Sequence, residues 1–414
     1  MTSMPELRGA DPVDAVAGLV DRTIYSDPDV LELEQQLIFR RSWHFACLTG
    51  EVRNPGDFFT ATVAGEPVLV VRSDDGELRA FYNACTHRGA VLNGERGGNC
   101  GRIFKCMYHA WAFNLRGDLV AVPYEEGYGP EFSKSQYALV PVSCQVFGDL
   151  VFVALDPLVP DLADYLGDMR PFLEPYVTGI EPIGRNSWIY GGNWKLWHEN
   201  FRDNYHPEFT HRAIHDMTPH YADRGGNWGV PPGHSVLQWV SEAPDLAGYA
   251  KSMTRRSGVV FDSGPPSAGY AEAGRERPQE VLAVFPNLDV QPGPKDGTKG
   301  ERTGYIQTVT PIAVDRAKVE ITVYSAIDDT PEERQWALEN LADSQGSWGK
   351  ITCDDTEAAF RCQAGVAGRG TQHNIFTRGT APGTGGPQAN GRDEYSQREF
   401  YRVYQQYMSG ALSS

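Results

Sequence analysis

Two groups of residues have the types and spacing to hold metal. The first is Cys85-Thr86-His87, followed after eighteen residues by Cys106-Met107-Tyr108-His109. Each pair sits beside turn formers, Arg88-Gly89 and Ala110-Trp111, so two loops would each offer one thiolate and one imidazole. Four such donors could hold zinc, but zinc fingers space their cysteine and histidine pairs differently. Interleaved Cys-x-His and Cys-x-x-His suits a [2Fe–2S] cluster with two cysteines on one iron and two histidines on the other. Neutral imidazoles in place of two thiolates leave less negative charge, which makes such a cluster easier to reduce.

The second group is Asp203-Asn204-Tyr205-His206, with His211 five residues further on. Trp194, Trp197, Phe201 and Tyr205 recur at helical spacing, which predicts a core helix. Asp203 and His206 would then share one face of it. Pro207 removes a helical hydrogen bond, so the chain can bend there and let both imidazoles converge. A single histidine in an aromatic-rich helix is usually a packed side chain; a second metal-like group elsewhere in the chain favours the metal reading.

The elements that must position these residues follow from composition and pattern. A chain of 414 residues, 41% hydrophobic and 11% aromatic, supports two globular domains. No apolar run reaches membrane-spanning length. The N-terminus carries no secretory signature, so a cytoplasmic location is expected. Seven cysteines favour metal ligation or burial over a disulfide framework. A net charge of −17 argues against general nucleic-acid binding. Asp11-Pro12 reads as a helix start with a Val13, Val16, Ala17, Val20 stripe, and Ser26-Asp27-Pro28-Asp29 as another. Strand patterns at 58–63, 68–71, 78–82 and 150–154 predict a small all-β domain over 42–156, with Asp75-Gly76 marking a hairpin. Strands are expected at 281–285, 305–310 and 319–325, with a capped helix from Thr330 and a final helix burying Phe400, Val403, Tyr404 and Tyr407. Gly/Pro-rich stretches at 224–234, 256–278 and 378–392 read as long loops.

The Cys85/His87 and Cys106/His109 set resembles a Rieske domain. Asp203-x-Tyr205-His206-x4-His211 resembles the catalytic motif of the large (α) subunits of Rieske non-haem iron oxygenases. The likeness runs from about Tyr25 to the C-terminal helix. It implies an α+β fold in three parts: N-terminal helices over 1–41 packing on the catalytic domain, a Rieske [2Fe–2S] domain over 42–156, and a catalytic mononuclear iron domain over 157–414, whose antiparallel sheet is flanked by helices. Two histidines need a carboxylate to complete a facial triad. Asp354, Asp355 and Glu357 are available, although aspartates near a helix start also serve as caps. In the family the ligand stands eight residues before a glutamine, which selects Asp355 with Asp354 as fallback. The resemblance gives Asp203 a different role, bridging His206 to His109 of a neighbouring subunit. It implies a ring of subunits, a homotrimer or an α3β3 assembly, because cluster and iron of one chain would lie too far apart for rapid electron transfer.

The activity implied is that of a terminal oxygenase. NAD(P)H electrons arrive through a reductase, with or without a ferredoxin, and Fe2+ activates O2 beside an aromatic substrate. Ring dihydroxylation, including that of aromatic carboxylates, is the expected reaction. The alternatives are O- or N-demethylation and a pure electron-transfer Rieske protein. In some members acting on carboxylates an arginine occupies the strand held here by Ile306-Gln307, which leaves Arg212, Arg361 and Arg378 as candidate anchors. Phe201, Phe285 and Phe376 are candidates for pocket walls or core. Arg88, Arg96, Arg102, Lys105 and Arg116 are expected to form a docking patch for an acidic electron donor. Cys47, Cys100, Cys144, Cys353 and Cys362 are expected to play no catalytic part.

Overall fold

The computed structural model describes residues 12–211, 225–242, 276–293, 302–347, 349–368, 370–380 and 390–410. The chain divides into two compact units, one of residues 34–165 with 177–182, the other of 1–33, 166–176 and 183–414.

The first expected helix is instead a hairpin, β1 (Val13–Asp14) with β2 (Leu19–Asp21). Val13 and Val20 are both 1% exposed while Val16 is 92% exposed. The apparent helical stripe is therefore two strand positions and a turn tip. Asp14 Oδ1 accepts the Ala17 N–H at 2.8 Å, and such a local bond competes with helix formation. Gly18 closes the turn at φ +67, where a Cβ would lie 2.4 Å from the Phe376 carbonyl oxygen. The second start does open a helix, α1 (Pro28–Leu37).

In the first unit a seven-stranded sheet has the order β3-β12-β11-β6-β5-β4-β7. Its members are β3 (His44–Leu48), β4 (Asp57–Val63), β5 (Glu66–Arg72), β6 (Leu78–Tyr82), β7 (Gly97–Asn99), β11 (Pro141–Phe147) and β12 (Leu150–Ala154). A small sheet of β8 (Ile103–Lys105), β9 (Ala112–Asn114) and β10 (Leu119–Ala121) accompanies it. Ala64 and Gly65, both at positive φ, make the two-residue turn between β4 and β5. Leu69 and Val71 enter one buried cluster, Val68 and Val70 another. Burial of both faces explains the unbroken apolar run of β5.

The second unit carries an antiparallel sheet of order β13-β19-β18-β17-β16-β15-β14. The strands are β13 (Ile180–Tyr190), β14 (Gly225–Val230), β15 (His234–Glu242), β16 (Glu276–Val284), β17 (Leu288–Pro292), β18 (Gly304–Ala313) and β19 (Arg316–Ala326). A short β20 (His373–Ile375) pairs with β2. The stretch 224–234, expected as a long loop, contains β14 and a tight turn into β15. A Cβ on Gly225 would lie 2.0 Å from the Gln238 carbonyl oxygen; glycine there serves close strand approach, not looseness. Of the other two stretches, 256–275 and 381–389 lie outside the described residues.

The helices after α1 are α2 (Leu162–Leu166), α3 (Arg170–Val177), α4 (Trp194–Asn200), α5 (Pro207–Thr210), α6 (Pro331–Gln345), α7 (Lys350–Val366) and α8 (Tyr395–Met408). Thr330 and Glu333 form the expected capping box of α6. Phe400, Val403 and Tyr404 of α8 are buried, and Tyr407 is half-buried.

Between α4 and α8 lies a buried polar knot. The Tyr25 hydroxyl donates to Glu199 Oε1 at 2.7 Å, and Tyr401 donates to the same oxygen. Lys195, fully buried, stands over the rings of Tyr25, Trp194 and Tyr404. Burial pushes the Glu199 carboxyl up to about 7 from 4.5, and the tyrosine hydrogen bonds and Lys195 charge offset it only in part. Between those values the folded state holds a proton that the unfolded chain has released. This group's contribution to stability therefore falls as pH rises through that window. Glu199→Gln should flatten this part of the curve: in denaturant titrations from about pH 4 to about pH 8, the wild-type midpoint should drop relative to the variant's as pH rises.

Candidate metal centres

The candidate cluster residues sit on two loops of the same construction. The first follows β6: Cys85 N–H donates to the Ala90 carbonyl and Gly89 N–H returns to the Cys85 carbonyl, both at 2.8 Å. The second joins β8 to β9: Cys106 N–H donates to the Trp111 carbonyl at 2.8 Å, and Ala110 N–H to the Cys106 carbonyl at 3.0 Å. In each loop the residue four after the cysteine has positive φ, Gly89 at +72 and Ala110 at +56. Both cysteines are 2% exposed and belong to one apolar cluster with Trp111 and Phe104. Burial raises the Cys85 thiol above its ordinary value, while the His87 and Arg88 N–H groups donate toward the sulfur and oppose it. Those donors suit a thiolate carrying charge in a cluster. The rings of His87 and His109 lie 4.6 Å apart, and His87 stacks on Trp111 at 4.7 Å. All four donor residues are thus brought together on paired loops.

Three donors converge in the other unit. His206, His211 and Asp355 each offer one ligand atom, all within 4.8 Å of one another. His206 Nε2 lies 3.5 Å and His211 Nε2 3.1 Å from Asp355 Oδ1. That oxygen is buried and makes no hydrogen bond. On their far sides, His206 Nδ1 faces Asp203 Oδ2 and His211 Nδ1 faces Asp354 Oδ2, each at 3.3 Å. A carboxylate behind each ring fixes the proton on Nδ1 and leaves the Nε2 lone pair inward. Burial tends to raise the Asp355 carboxyl, but both histidines outweigh it and hold the group far below the usual range. Burial tends to lower His206, yet Asp203 and Asp355 together raise it to about 9. A buried oxygen without a partner, facing two imidazole nitrogens, fits a divalent cation and its displacement of the His206 proton.

The segment carrying these residues corrects the predicted helix. α4 stops at Asn200, Trp194 and Trp197 are buried, Phe201 is half-buried, and Tyr205 is 39% exposed. Asp203 and His206 meet across a turn, where Asp203 Oδ1 accepts the Tyr205 N–H, and not along a helix face. Pro207 opens the separate short α5. The opposite partner comes from α7, whose Thr352, Asp355, Ala359 and Val366 form its buried face. Gln363, eight residues after Asp355, is two turns along that helix. Its Oε1 accepts the Asn193 N–H at 2.7 Å and its Nε2 donates to the Tyr25 carbonyl at 3.1 Å. Asn193 in turn caps α4 through its bond from Lys195 N–H.

Sequence reasoning missed a buried relay behind the site. Arg202 Nε donates to His198 Nε2 at 3.0 Å, and His198 Nδ1 lies 3.4 Å from Asp289 Oδ2. Because arginine can only donate, His198 must carry its proton on Nδ1, toward Asp289. Arg202 Nη1 also reaches Ser235 Oγ, and Asn227 Nδ2 donates to the Arg202 carbonyl. The four-residue spacing of His198 and Arg202 was the available signal. Asp354, considered only as a fallback ligand, is 45% exposed and backs His211.

Other candidates are placed differently. Arg361 is exposed and paired with Glu357 on α7, Arg378 stacks on Tyr205, and Arg212 lies outside the described residues. Gln307 is buried with its amide unpaired, across from Asp289. Phe285 packs on Phe400 and Tyr407, and Phe376 on Tyr401, as core. Arg88, Arg96, Arg102 and Lys105 are exposed, whereas Arg116 pairs with Asp74 and Asp75.

Residues 42–140 match the Rieske [2Fe-2S] domain, and residues 175–410 match the ring hydroxylating alpha subunit (catalytic domain). Among curated proteins, the chain is 30% identical to the alpha 2 subunit of the terminal oxygenase component of terephthalate 1,2-dioxygenase from Comamonas sp, covering 94% of this chain and 95% of that one. It is 29% identical to the large subunit of anthranilate 1,2-dioxygenase from Acinetobacter baylyi, over 90% and 83%. It is likewise 29% identical to the large oxygenase component of the naphthalene 1,2-dioxygenase system from Pseudomonas putida, over 94% and 91%. The fold resembles naphthalene 1,2-dioxygenase from Rhodococcus sp. at 24% identity, TM-score 0.78, covering 95% and 94%. It also resembles a quaternary ammonium Rieske monooxygenase at 18% identity, TM-score 0.78, covering 98% and 100%.

The two cluster loops make a direct prediction. Ala110 occupies a left-handed conformation that costs a non-glycine residue roughly 1 kcal/mol. Ala110→Gly should keep the cluster absorption spectrum and raise stability by about that amount. Ala110→Val should reduce cluster retention after purification, read as iron and sulfide per chain.

Proposed function

From a chain that belongs to the family of Rieske ring-hydroxylating oxygenase alpha subunits, we propose a terminal oxygenase that dihydroxylates an aromatic ring, with an aromatic carboxylate as the favoured substrate class. The enzyme is an O2-incorporating oxidoreductase with a Rieske [2Fe–2S] domain and a candidate mononuclear iron site. The electron-transfer alternative required the chain to lack a second metal site; the catalytic-domain match and the converging donors His206, His211 and Asp355 stand against it.

One observation carries the residue assignment: two Nε2 atoms converge on the unpartnered Asp355 Oδ1, each ring backed by a carboxylate on Nδ1. We assign His206, His211 and Asp355 to the mononuclear Fe2+, and Cys85, His87, Cys106 and His109 to the cluster. When bound, the iron supplies open positions for O2 and the cluster supplies single electrons. Asp203 and Asp354 hold the Nδ1 protons and so orient the rings. Asp203 is part-exposed behind His206, and we assign it in addition to accept from His109 of a neighbouring subunit, a role in electron entry. The support for an aromatic carboxylate is that two of the relatives are named for terephthalate and anthranilate; a third is named for naphthalene, which has no carboxylate. The reading includes a cytoplasmic location, a trimeric or α3β3 assembly, a reductase drawing on NAD(P)H with or without a ferredoxin, and donor docking at the patch of Arg88, Arg96, Arg102, Lys105 and Arg116. No helix among the described residues is long and apolar enough to cross a membrane.

Oxygen uptake by the chain with a reductase, across aromatic acids, hydrocarbons and methylated amines, tests the activity. A product gaining both oxygen atoms and two hydrogens supports dihydroxylation; a demethylated product with formaldehyde replaces it with the monooxygenase reading. Asp355→Ala should lower iron from about three to about two per chain, the mononuclear ion lost and the cluster kept. Its visible cluster spectrum should be unchanged and product formation abolished. Retention of full activity would sink the assignment.

A further inference from the structure

The turn carrying Asp203 and His206 is gripped from outside by two arginines of the chain just before α8. The Arg378 guanidinium carbon lies 4.2 Å above the centre of the Tyr205 ring. Arg392 pairs with Glu208, both side chains largely shielded at 15% and 17% exposure. Tyr205 precedes His206 directly, and Glu208 follows it by two residues, across the stiff Pro207. The two arginines are tied to each other, Arg378 Nε donating to the Arg392 carbonyl at 2.9 Å. They are also tied to the buried helix α8 and its start. Arg398 Nη1 donates to the carbonyls of Phe376 and Arg378 at 2.8 and 2.7 Å. Glu394 Oε2 accepts the Arg378 N–H at 2.9 Å, and Tyr395 Oη donates to the Gly379 carbonyl at 2.9 Å.

We propose that Arg378 and Arg392 form a clamp that positions His206, keeping its Nδ1 against Asp203 and its Nε2 toward Asp355; this rests on the reading of His206, His211 and Asp355 as the iron ligands. The need for a clamp follows from the local structure. α4 ends at Asn200, and the six residues from Phe201 to His206 belong to neither α4 nor α5, so no continuous helix fixes the ring. The inner side of the turn is held by Arg202, through His198, Ser235 and Asn227. Its outer side has Arg378 on Tyr205 and Arg392 on Glu208. A guanidinium is the appropriate group at both places, since it stacks flat on an aromatic face and still donates in its plane. Arg378 is thereby a positioning residue and not the substrate anchor that its type suggested.

The test compares Fe(II) binding by full-length protein stripped of its mononuclear metal, with the Rieske absorption spectrum as the folding control. Arg378→Ala and Arg392→Ala should each weaken Fe(II) binding about tenfold. They should also alter the near-infrared magnetic circular dichroism of the ferrous site, which reports ligand geometry, and leave the cluster spectrum intact. Arg378→Lys, which keeps the charge but not the flat stack, should fall short of wild type and remains informative if the alanine variant does not fold. Glu208→Arg should weaken binding, and Glu208→Arg combined with Arg392→Glu should restore it. Unchanged Fe(II) affinity and dichroism in both alanine variants overturns the clamp. So does a rise in substrate KM with Fe(II) affinity unchanged, the result expected of a substrate anchor. Asp355→Ala separates the two readings: if it binds Fe(II) like wild type, the ligand assignment fails; if it alone loses Fe(II), only the clamp does.

Discussion

An ionised carboxylate in a dry interior costs several kcal/mol unless opposite charge or hydrogen bonds meet it. Asp355 is 3% exposed, and the groups that meet it are two imidazoles with their Nε2 atoms turned inward. Those rings come from a turn about 150 residues earlier in the chain, so the protein must bring α7 and the α4–α5 segment into fixed register. Much of the second unit serves that register. Gln363 is bound to Asn193 and to the Tyr25 carbonyl, and Asn193 caps α4. The helix bearing the carboxylate is thus locked to the start of the helix that leads to the histidines. A slip of one residue along α7 would turn Asp354, not Asp355, toward the rings.

The same constraint gives a meaning to the polar groups buried around α4. Lys195, His198 and Arg202 are buried and Glu199 is half-buried, a dense set of titratable groups for seven residues of helix with its flanking turn. Each is engaged: Glu199 by two tyrosines, Lys195 by three aromatic faces, and Arg202 with Asp289 through His198. An apolar helix could slide or rotate against its neighbours at little cost, whereas a helix with directional buried partners cannot. Positional precision, more than stability, is what such a network supplies to a turn that carries Asp203 and His206.

How much of this could be read from the sequence depended on the range of the interaction. The cluster loops were readable because each is local: cysteine, histidine and turn residue lie within six positions, and the bond pattern of Cys85 recurs at Cys106. β5 was readable because burial of both faces dictates its apolar run, and β19 because Ala317, Val319, Ile321 and Val323 alternate with polar residues. The N-terminal hairpin was misread because Val13, Val16 and Val20 satisfy a helical period while Asp14 and Gly18 impose a turn. The α4 segment was misread past Asn200 because aromatic spacing continues to Tyr205 although the backbone does not. Asp355 was selected by its distance from Gln363, and the structure supplies the reason that distance matters. His198, Arg202 and Asp289 went unseen because their meaning lies in a contact between a helix and β17, which no local pattern announces.

The two candidate metal centres solve one physical problem in opposite ways. At the candidate cluster site, two short loops with matching backbone hydrogen bonds and a left-handed residue at the same offset hold the donors, so precision comes from local backbone conformation. At the triad, the donors come from distant stretches, and precision comes from side chains that tie helix to helix and turn to strap. The first keeps its requirements within the two loops and the apolar cluster around them. The second spreads its requirements over residues such as Gln363, Asn193, Arg202 and Arg378, none of which is among the three converging donors. Each of them touches a segment that carries or leads to a converging donor, although nothing in its own chemistry marks it as part of such a site.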